Sequence, residues 1–105
     1  MGQAKAKFDF HDVEFSNFAR TLALPARITI IRILLEQDEW VASSKFSNVP
    51  LVPEVTERHL NALKTVGLIS KMTRDGISYY KLNFKVLKYM LGYFIQLNTE
   101  LTKRD

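Results

Sequence analysis

The sequence predicts a mainly α-helical domain with a small β-hairpin, on three observations. Residues 53–66 read as an amphipathic helix with sharp ends. A basic hairpin signal over 68–82 follows with only Gly67 between them. The last helix, over 84–101, carries more apolar surface than one small domain can cover. A helix feeding directly into a basic hairpin is the shape of a winged helix-turn-helix, here dimerised through its terminal helices.

The helix at 53–66 organises the rest. At the helical period, Val55, Leu60, Ala62, Leu63 and Val66 share one arc, and Glu54, Glu57, Arg58, Asn61, Lys64 and Thr65 share the other. Pro53 suits a first turn, where its missing N–H costs nothing. Gly67 suits the left-handed position just past the end. In the hairpin, Asp75-Gly76 is a favoured two-residue turn that needs positive φ at both positions.

The remaining elements follow in order. Residues 1–7 are small and basic and read as a flexible arm. Asp12 is the expected cap of a first helix reaching about Leu22, with Glu14 near its positive end. Phe15, Phe18 and Leu22 form its apolar stripe. Pro25 opens a second helix to about Glu36. Ile28, Ile30, Ile31, Ile33, Leu34 and Leu35 make it apolar nearly all round, which places it centrally; Arg27 and Arg32 are its basic exceptions. Serines 43, 44 and 47 leave only a weak element around 42–48. Residues 49–53 are extended, because positions before proline avoid the helical region. Asn83 is the expected cap of the last helix. Phe84, Leu87, Leu91, Phe94 and Ile95 form one stripe on it, and Val86, Met90, Tyr93 and Leu97 a second. The second stripe, with Phe15 and Phe18, reads as a dimer interface; the competing reading is that the first helix covers it.

At 105 residues and 47% hydrophobic, the chain supports one domain (1–105) with one modest core. No apolar run spans a bilayer and no signal-peptide pattern is present, so a cytoplasmic protein without membrane partners is expected. Met1-Gly2 invites a myristoylation reading, but Ala6 stands where that motif wants Ser or Thr. The chain has no cysteine, which removes disulfides and thiolate metal sites. The net charge of +4 sits wholly in residues 67–105, with seven basic against three acidic groups. A polyanionic partner fits that distribution, as does a merely solvated surface.

The stretches Leu22 to Leu34, Arg58 to Ile69 and Gly76 to Asn83 resemble, in order and spacing, the opening signature, recognition helix and wing exit of the ArsR family of bacterial winged-helix repressors. The resemblance covers roughly 18–98. MarR-type repressors share parts of it but are usually longer at both ends. It implies a homodimer joined by terminal helices, a double-stranded DNA operator read by helix 53–66, and a wing on the flanking backbone. Three positions depart from the pattern. Leu24 stands where the family usually has Asp, removing a side-chain N-cap. Pro50 stands where Gly is frequent, so that turn must be built differently. Glu54 and Glu57 stand where Ser or Gln commonly meets DNA. Carboxylates there repel phosphate unless they accept from cytosine amino groups or pair with Arg58.

The DNA-facing candidates are therefore Glu54, Glu57, Arg58, Asn61, Lys64 and Thr65 on the helix, and Lys71, Arg74 and Lys81 on the wing. Arg58 and Asn61 suit guanine and adenine edges. The bland alternative is a solvated face with an Arg58–Glu54 pair at i, i+4. His59 projects toward the core and reads as a partly buried neutral histidine with one satisfied nitrogen. Tyr79 and Tyr80 point to opposite faces of the hairpin, one packed and one exposed.

No metal site is expected. Asp9, His11, Asp12 and Glu14 are the one cluster with ligand chemistry, and two histidines in the chain make a fixed zinc site improbable. No cofactor motif, nucleophile motif or phosphate-cradling loop supports catalysis. The expected function is a homodimeric, sequence-specific transcriptional regulator, a repressor by resemblance. The alternative is a winged-helix protein–protein interaction module that does not read DNA. Nothing in the chain names the effector.

Overall fold

The computed structural model describes residues 7–104; positions 1–6 of the expected arm, with Met1-Gly2, lie outside the described residues. The order is α1 (Phe10–Thr21), α2 (Pro25–Leu35), β1 (Val41–Ala42), a 3-10 helix (Ser43–Asn48), α3 (Pro53–Thr65), β2 (Ile69–Arg74), β3 (Ile77–Leu82) and α4 (Phe84–Thr102). The strands form an antiparallel sheet in the order β1-β3-β2. This is a winged helix: the 3-10 helix and α3 make the helix-turn-helix, and β2–β3 make the wing.

The core gathers where α2, α3 and the sheet meet. Ile30 and Leu34 from α2, Leu60 and Leu63 from α3, and Tyr80 and Leu82 from β3 are all buried. Phe46 from the 3-10 helix packs edge-on against Tyr80, ring centres 5.8 Å apart. Two residues of the stretch 53–66 differ from the sequence expectation. Val66 is exposed, and Thr56 takes the buried place one turn before Leu60. The buried stripe is Thr56, Leu60 and Leu63, a narrow i, i+4, i+7 line.

The helix ends show where local chemistry decided and where packing did. Asp9, not Asp12, caps α1, its carboxylate accepting from the His11 amide at 2.8 Å. The two aspartates compete within one turn, and Asp12 lies inside the first turn, where its charge still favours the positive helix end. Leu24 at the start of α2 makes no side-chain cap, so Pro25 at the first turn carries that end alone. The turn before α3 closes tightly around Pro50: the Leu51 amide donates to the Val49 carbonyl at 2.7 Å, a three-residue turn that proline's fixed φ suits. Gly67 takes φ 82°, and Asp75 and Gly76 take φ 52° and 77°, as the hairpin turn requires.

Asn83 occupies the N-cap position of α4 without capping it through its side chain. The amide instead donates to the Gly67 carbonyl at 2.7 Å and accepts from the Ser70 hydroxyl at 3.0 Å. Its backbone N–H donates to the Leu68 carbonyl at 2.9 Å. One residue thereby ties the end of α3, the start of β2 and the start of α4. Strand β1 was not expected. It is two residues long and exists by pairing Val41 and Ala42 with Tyr80 and Tyr79.

Leu63 has no exposed surface, so Leu63→Ala should destabilise the fold by about 2–5 kcal/mol. Urea denaturation followed by circular dichroism checks this, with a lowered midpoint and unchanged slope as the expected result.

Candidate nucleic-acid interface

Burial of one narrow stripe leaves the rest of α3 open. Glu54, Glu57, Arg58, Asn61, Lys64 and Thr65 are all exposed. Thr65 spends its hydroxyl proton on the Asn61 carbonyl at 2.9 Å, inside the helix. The pair expected between Arg58 and Glu54 is not formed: the ion pairs among the described residues join His11 to Asp9 and Lys103 to Glu100. Arg58, Glu54 and Glu57 thus stand free toward solvent.

The wing lies beside this face. Its register pairs Lys71 with Tyr80 and Ser70 with Lys81, so alternate residues separate its cations. Lys71 shares a face with Tyr80, its ammonium 5.9 Å from the ring centre. Arg74 and Lys81 belong to the opposite face. Arg74, next to the Asp75-Gly76 turn, is exposed, while Lys71 and Lys81 are half-buried. Lys71 thus lies on one face of the wing, and Arg74 and Lys81 lie on the other at its two ends. Tyr80 is packed and Tyr79 half-buried, so neither is fully open.

Between the 3-10 helix, the start of α3 and β3 runs an open groove of about 520 Å³. Ser43, Ser44, Ser47 and Ser78 line it with Glu54 and Glu57, over a floor of Phe46, Leu60 and Tyr80. The sequence pointed to Glu54 and Glu57 but not to the serines, which read there only as poor helix formers. Their shared groove depends on β3 folding back beside the 3-10 helix, which no local signal announces.

The terminal helices α1 and α4 pack against each other on the far side of the core. Phe18 is 4% exposed and belongs to the core, and Val86 and Met90 pack against that core. Phe15 stacks on Tyr93 at 5.4 Å and meets Phe94 edge-on at 4.7 Å. The inner half of the expected interface stripe, Phe18, Val86 and Met90, is thus covered within the chain by its core. The large apolar side chains left open on α4 are Tyr89, Leu91, Phe94, Ile95, Leu97 and Leu101. Phe10 and Val13 on α1 are open as well.

His11, Asp9 and Glu14 do not converge on a common point: among the described residues no group of three or more His, Cys, Asp and Glu side chains could hold a metal. Glu14 has another role. One carboxylate oxygen accepts from the Tyr93 hydroxyl at 2.6 Å and from the Tyr89 hydroxyl at 2.9 Å, fastening α1 to α4. Those donors, Tyr93 first, hold the carboxyl below its ordinary value of 4.5; His11 assists and desolvation opposes. The same bond pushes the Tyr93 phenol well above the usual tyrosine range. No helix among the described residues is long and apolar enough to cross a membrane.

No protein-family model matches the sequence, and no curated protein matches it. Solved structures do match. HlyU from Vibrio cholerae aligns with a TM-score of 0.69 at 20% identity, over 86% of this chain and 97% of its own. An ArsR-like transcriptional regulator from Rhodococcus aligns at 0.63 and 20% identity, over 89% of this chain and 87% of its own. NolR from Sinorhizobium fredii aligns at 0.62 and 21% identity, over 91% and 96% respectively. The chain therefore shares the fold of these three proteins over 86–91% of its length.

Because Glu14 has a depressed folded-state value, its contribution is present above the ordinary 4.5 and lost as pH falls through the folded value. Tyr93→Phe removes the larger of the two donors and should move the Glu14 carboxyl back toward 4.5. Carbon-13 NMR titration of the glutamate carboxyls reads the change directly.

Proposed function

We propose that this chain is a homodimeric winged-helix regulator that binds operator DNA, with helix 53–66 in the major groove and the wing on the flanking backbone. Repression is the sense of regulation we assign, on the likeness to ArsR-type repressors. One observation carries the reading: α3 buries only Thr56, Leu60 and Leu63 and leaves its entire polar face free beside a basic hairpin. A helix of that width fits the major groove, where each base pair presents its own pattern of donors and acceptors. Arg74 at the wing tip, with Lys71 and Lys81 behind it, suits phosphate, which positions the protein without specifying sequence.

Arg58 and Asn61 are assigned to guanine and adenine edges. Glu57 is assigned to a cytosine amino group, the donor available on a G·C pair. Lys64 and Thr65, later on α3, are assigned to the backbone or solvent. A dimer would present two such helices, and half-sites about one helical turn apart follow from that symmetry.

The dimer assignment rests on surface that the fold leaves uncovered. Leu97, Ile95 and Leu101 are 57%, 66% and 68% exposed on α4. An apolar surface of that kind marks an association site. Tyr93 and Phe15 border it, while Phe18, Val86 and Met90 support it from beneath.

Selection of bound duplexes from random DNA tests the main reading, and a pseudo-palindromic site with a G·C pair in each half is the expected outcome. On that site Arg58→Ala should cost about 1–3 kcal/mol, and less on other sequences. Glu57→Gln should relax preference at the G·C pair while raising non-specific affinity. If about six phosphates are neutralised, log K should fall with log salt at a slope near −5. Lys71→Ala or Arg74→Ala should flatten that slope and weaken all sequences alike. Recovery of no sequence, with salt-independent capture of DNA, would overturn the reading in favour of a protein-binding module.

Sedimentation at micromolar concentration should show a dimer. Leu97→Glu with Ile95→Glu should yield a folded monomer, since both side chains lie outside the core. A wild-type chain that sediments as a monomer would refute the interface.

A further inference from the structure

Arg27 was noticed in the sequence only as a cation on an otherwise apolar helix. In the fold it is half-buried near the start of α2 and makes two bonds at once. Its Nε donates to Nδ1 of His59 on α3 at 3.1 Å. Its Nη1 donates to the carbonyl of Thr21, the last residue of α1, at 3.0 Å. One planar guanidinium thus joins three helices, a span that the single ammonium of lysine does not reproduce.

The bond to His59 fixes something that the core does not. Thr56, Leu60 and Leu63 hold α3 by apolar contact, which is non-directional and tolerates some roll about the helix axis. A hydrogen bond has a preferred distance and angle and tolerates less. His59 lies between Arg58 and Leu60, on the flank between the polar and the buried faces. Holding its ring against α2 sets the roll at which Glu57, Arg58 and Asn61 face outward.

The bond also demands one protonation state. Nδ1 accepts only when it carries no proton, so the bond requires the ring's hydrogen to be on Nε2. A protonated ring turns both nitrogens into donors, and Nδ1–H would then face a guanidinium. The surroundings offer no relief. No ion pair among the described residues reaches His59 or Arg27. Helix α2 carries Arg27 and Arg32 but no acid. The neighbouring charge on α3 is Arg58, and β2, packed against α3, brings Lys71 and Arg74. From α1 comes the Thr21 carbonyl, already held by Arg27. Glu57, two residues before His59, is the nearest acid in sequence and is exposed.

We propose that Arg27 and His59 form a proton-sensitive positioning latch that holds the roll of α3 against α1 and α2, so that uptake of a proton by His59 weakens sequence-specific DNA binding. This rests on the DNA-binding reading above. The sign is diagnostic. Acidification ordinarily makes a protein more cationic and strengthens its hold on phosphate. A latch that opens on protonation works the other way, and selectively on the preferred sequence.

The test uses the full chain carrying His11→Gln, which removes the only other histidine. Affinity for the selected duplex and for an unrelated duplex is measured by fluorescence anisotropy at fixed salt, from about pH 8 to about pH 5.5, the range in which histidines change charge. With His59 intact, specific binding should weaken about tenfold on acidification, a typical size for coupling between two sites. His59→Asn places an amide oxygen where Nδ1 accepts and does not titrate; it should keep the affinity seen at high pH and lose the acid weakening. Arg27→Met should bind weakly at every pH, again without acid weakening. In DNA-free protein, the Arg27 Nε–H resonance should shift as His59 titrates. Identical pH profiles for the intact latch and His59→Asn, or an Arg27 resonance indifferent to His59, would overturn the proposal. Failure to bind any duplex at any pH, with the Arg27 resonance still following His59, would instead overturn the DNA reading and with it the latch's role in DNA binding.

Discussion

Everything the outer face of α3 can do depends on how little of the helix is buried. Leu60 and Leu63 lie 3% and 0% exposed against Ile30 and Leu34 of α2 and the sheet residues Ile69 and Tyr80. Each such side chain contributes about 1.5–3 kcal/mol when removed from water. Two leucines and a threonine therefore anchor thirteen residues. The arc is kept narrow by the neighbours that flank it. Glu57, Arg58, Asn61 and Lys64 would each bring an unpaired polar or charged group into the interior if the helix rolled inward. The apolar stripe and the penalty on its flanks specify the same orientation, and the Arg27–His59 bond sharpens it.

Legibility in the sequence followed the range of the interactions involved. The boundaries of α2, α3 and the hairpin were readable because Pro25, Pro53, Gly67 and Asp75-Gly76 act through backbone conformation within one turn. The polar face of α3 was readable for the same reason, since periodicity is local. What escaped depended on partners distant in the chain. Strand β1 exists because β3 offers an open edge to Val41 and Ala42. Asn83 was read as a cap because it precedes a helix, yet Gly67 and Ser70 claim its amide once the hairpin closes. Arg27 and His59 were each noticed alone, thirty-two positions apart. Only the packing of α2 on α3 makes them one feature.

The terminal helices are the least self-sufficient part of the fold. The molecule has a radius of gyration of 16.7 Å, against about 13 Å for a compact chain of this length. Phe18 of α1 and Leu87 of α4 reach the core, whereas Phe10 and Leu101 toward the outer ends of these helices stay exposed. Glu14 and the hydroxyls of Tyr89 and Tyr93 join them at an exposed site, where such bonds add little stability but define an angle. Phe15 and Phe94 add a second point of contact. The pair of helices is thereby shaped as a unit while its outer surface stays apolar and open. An arrangement of that kind suits a surface completed by another chain, and Thr21 at the end of α1 connects it to α3 through Arg27.

The acids on α3, which set this helix apart from its likeness, separate into two cases. Helix α3 begins at Val52 with no side-chain cap, and Pro53 supplies no donor. The Val55 and Thr56 amides donate to the Val52 carbonyl, so the first turn presents the Glu54 N–H and the positive end of the helix dipole. Glu54 sits in that turn, where a carboxylate is stabilised by position alone. Its presence is explained by the fold without reference to any ligand. Glu57 lies one turn further on, where the dipole has faded. It borders the same groove, forms no ion pair with Arg58 and is exposed. Among the described residues neither the helix end nor an ion pair engages it. Of the two carboxylates, Glu57 is thus the one left free for the base-edge donor that the proposed function assigns to it.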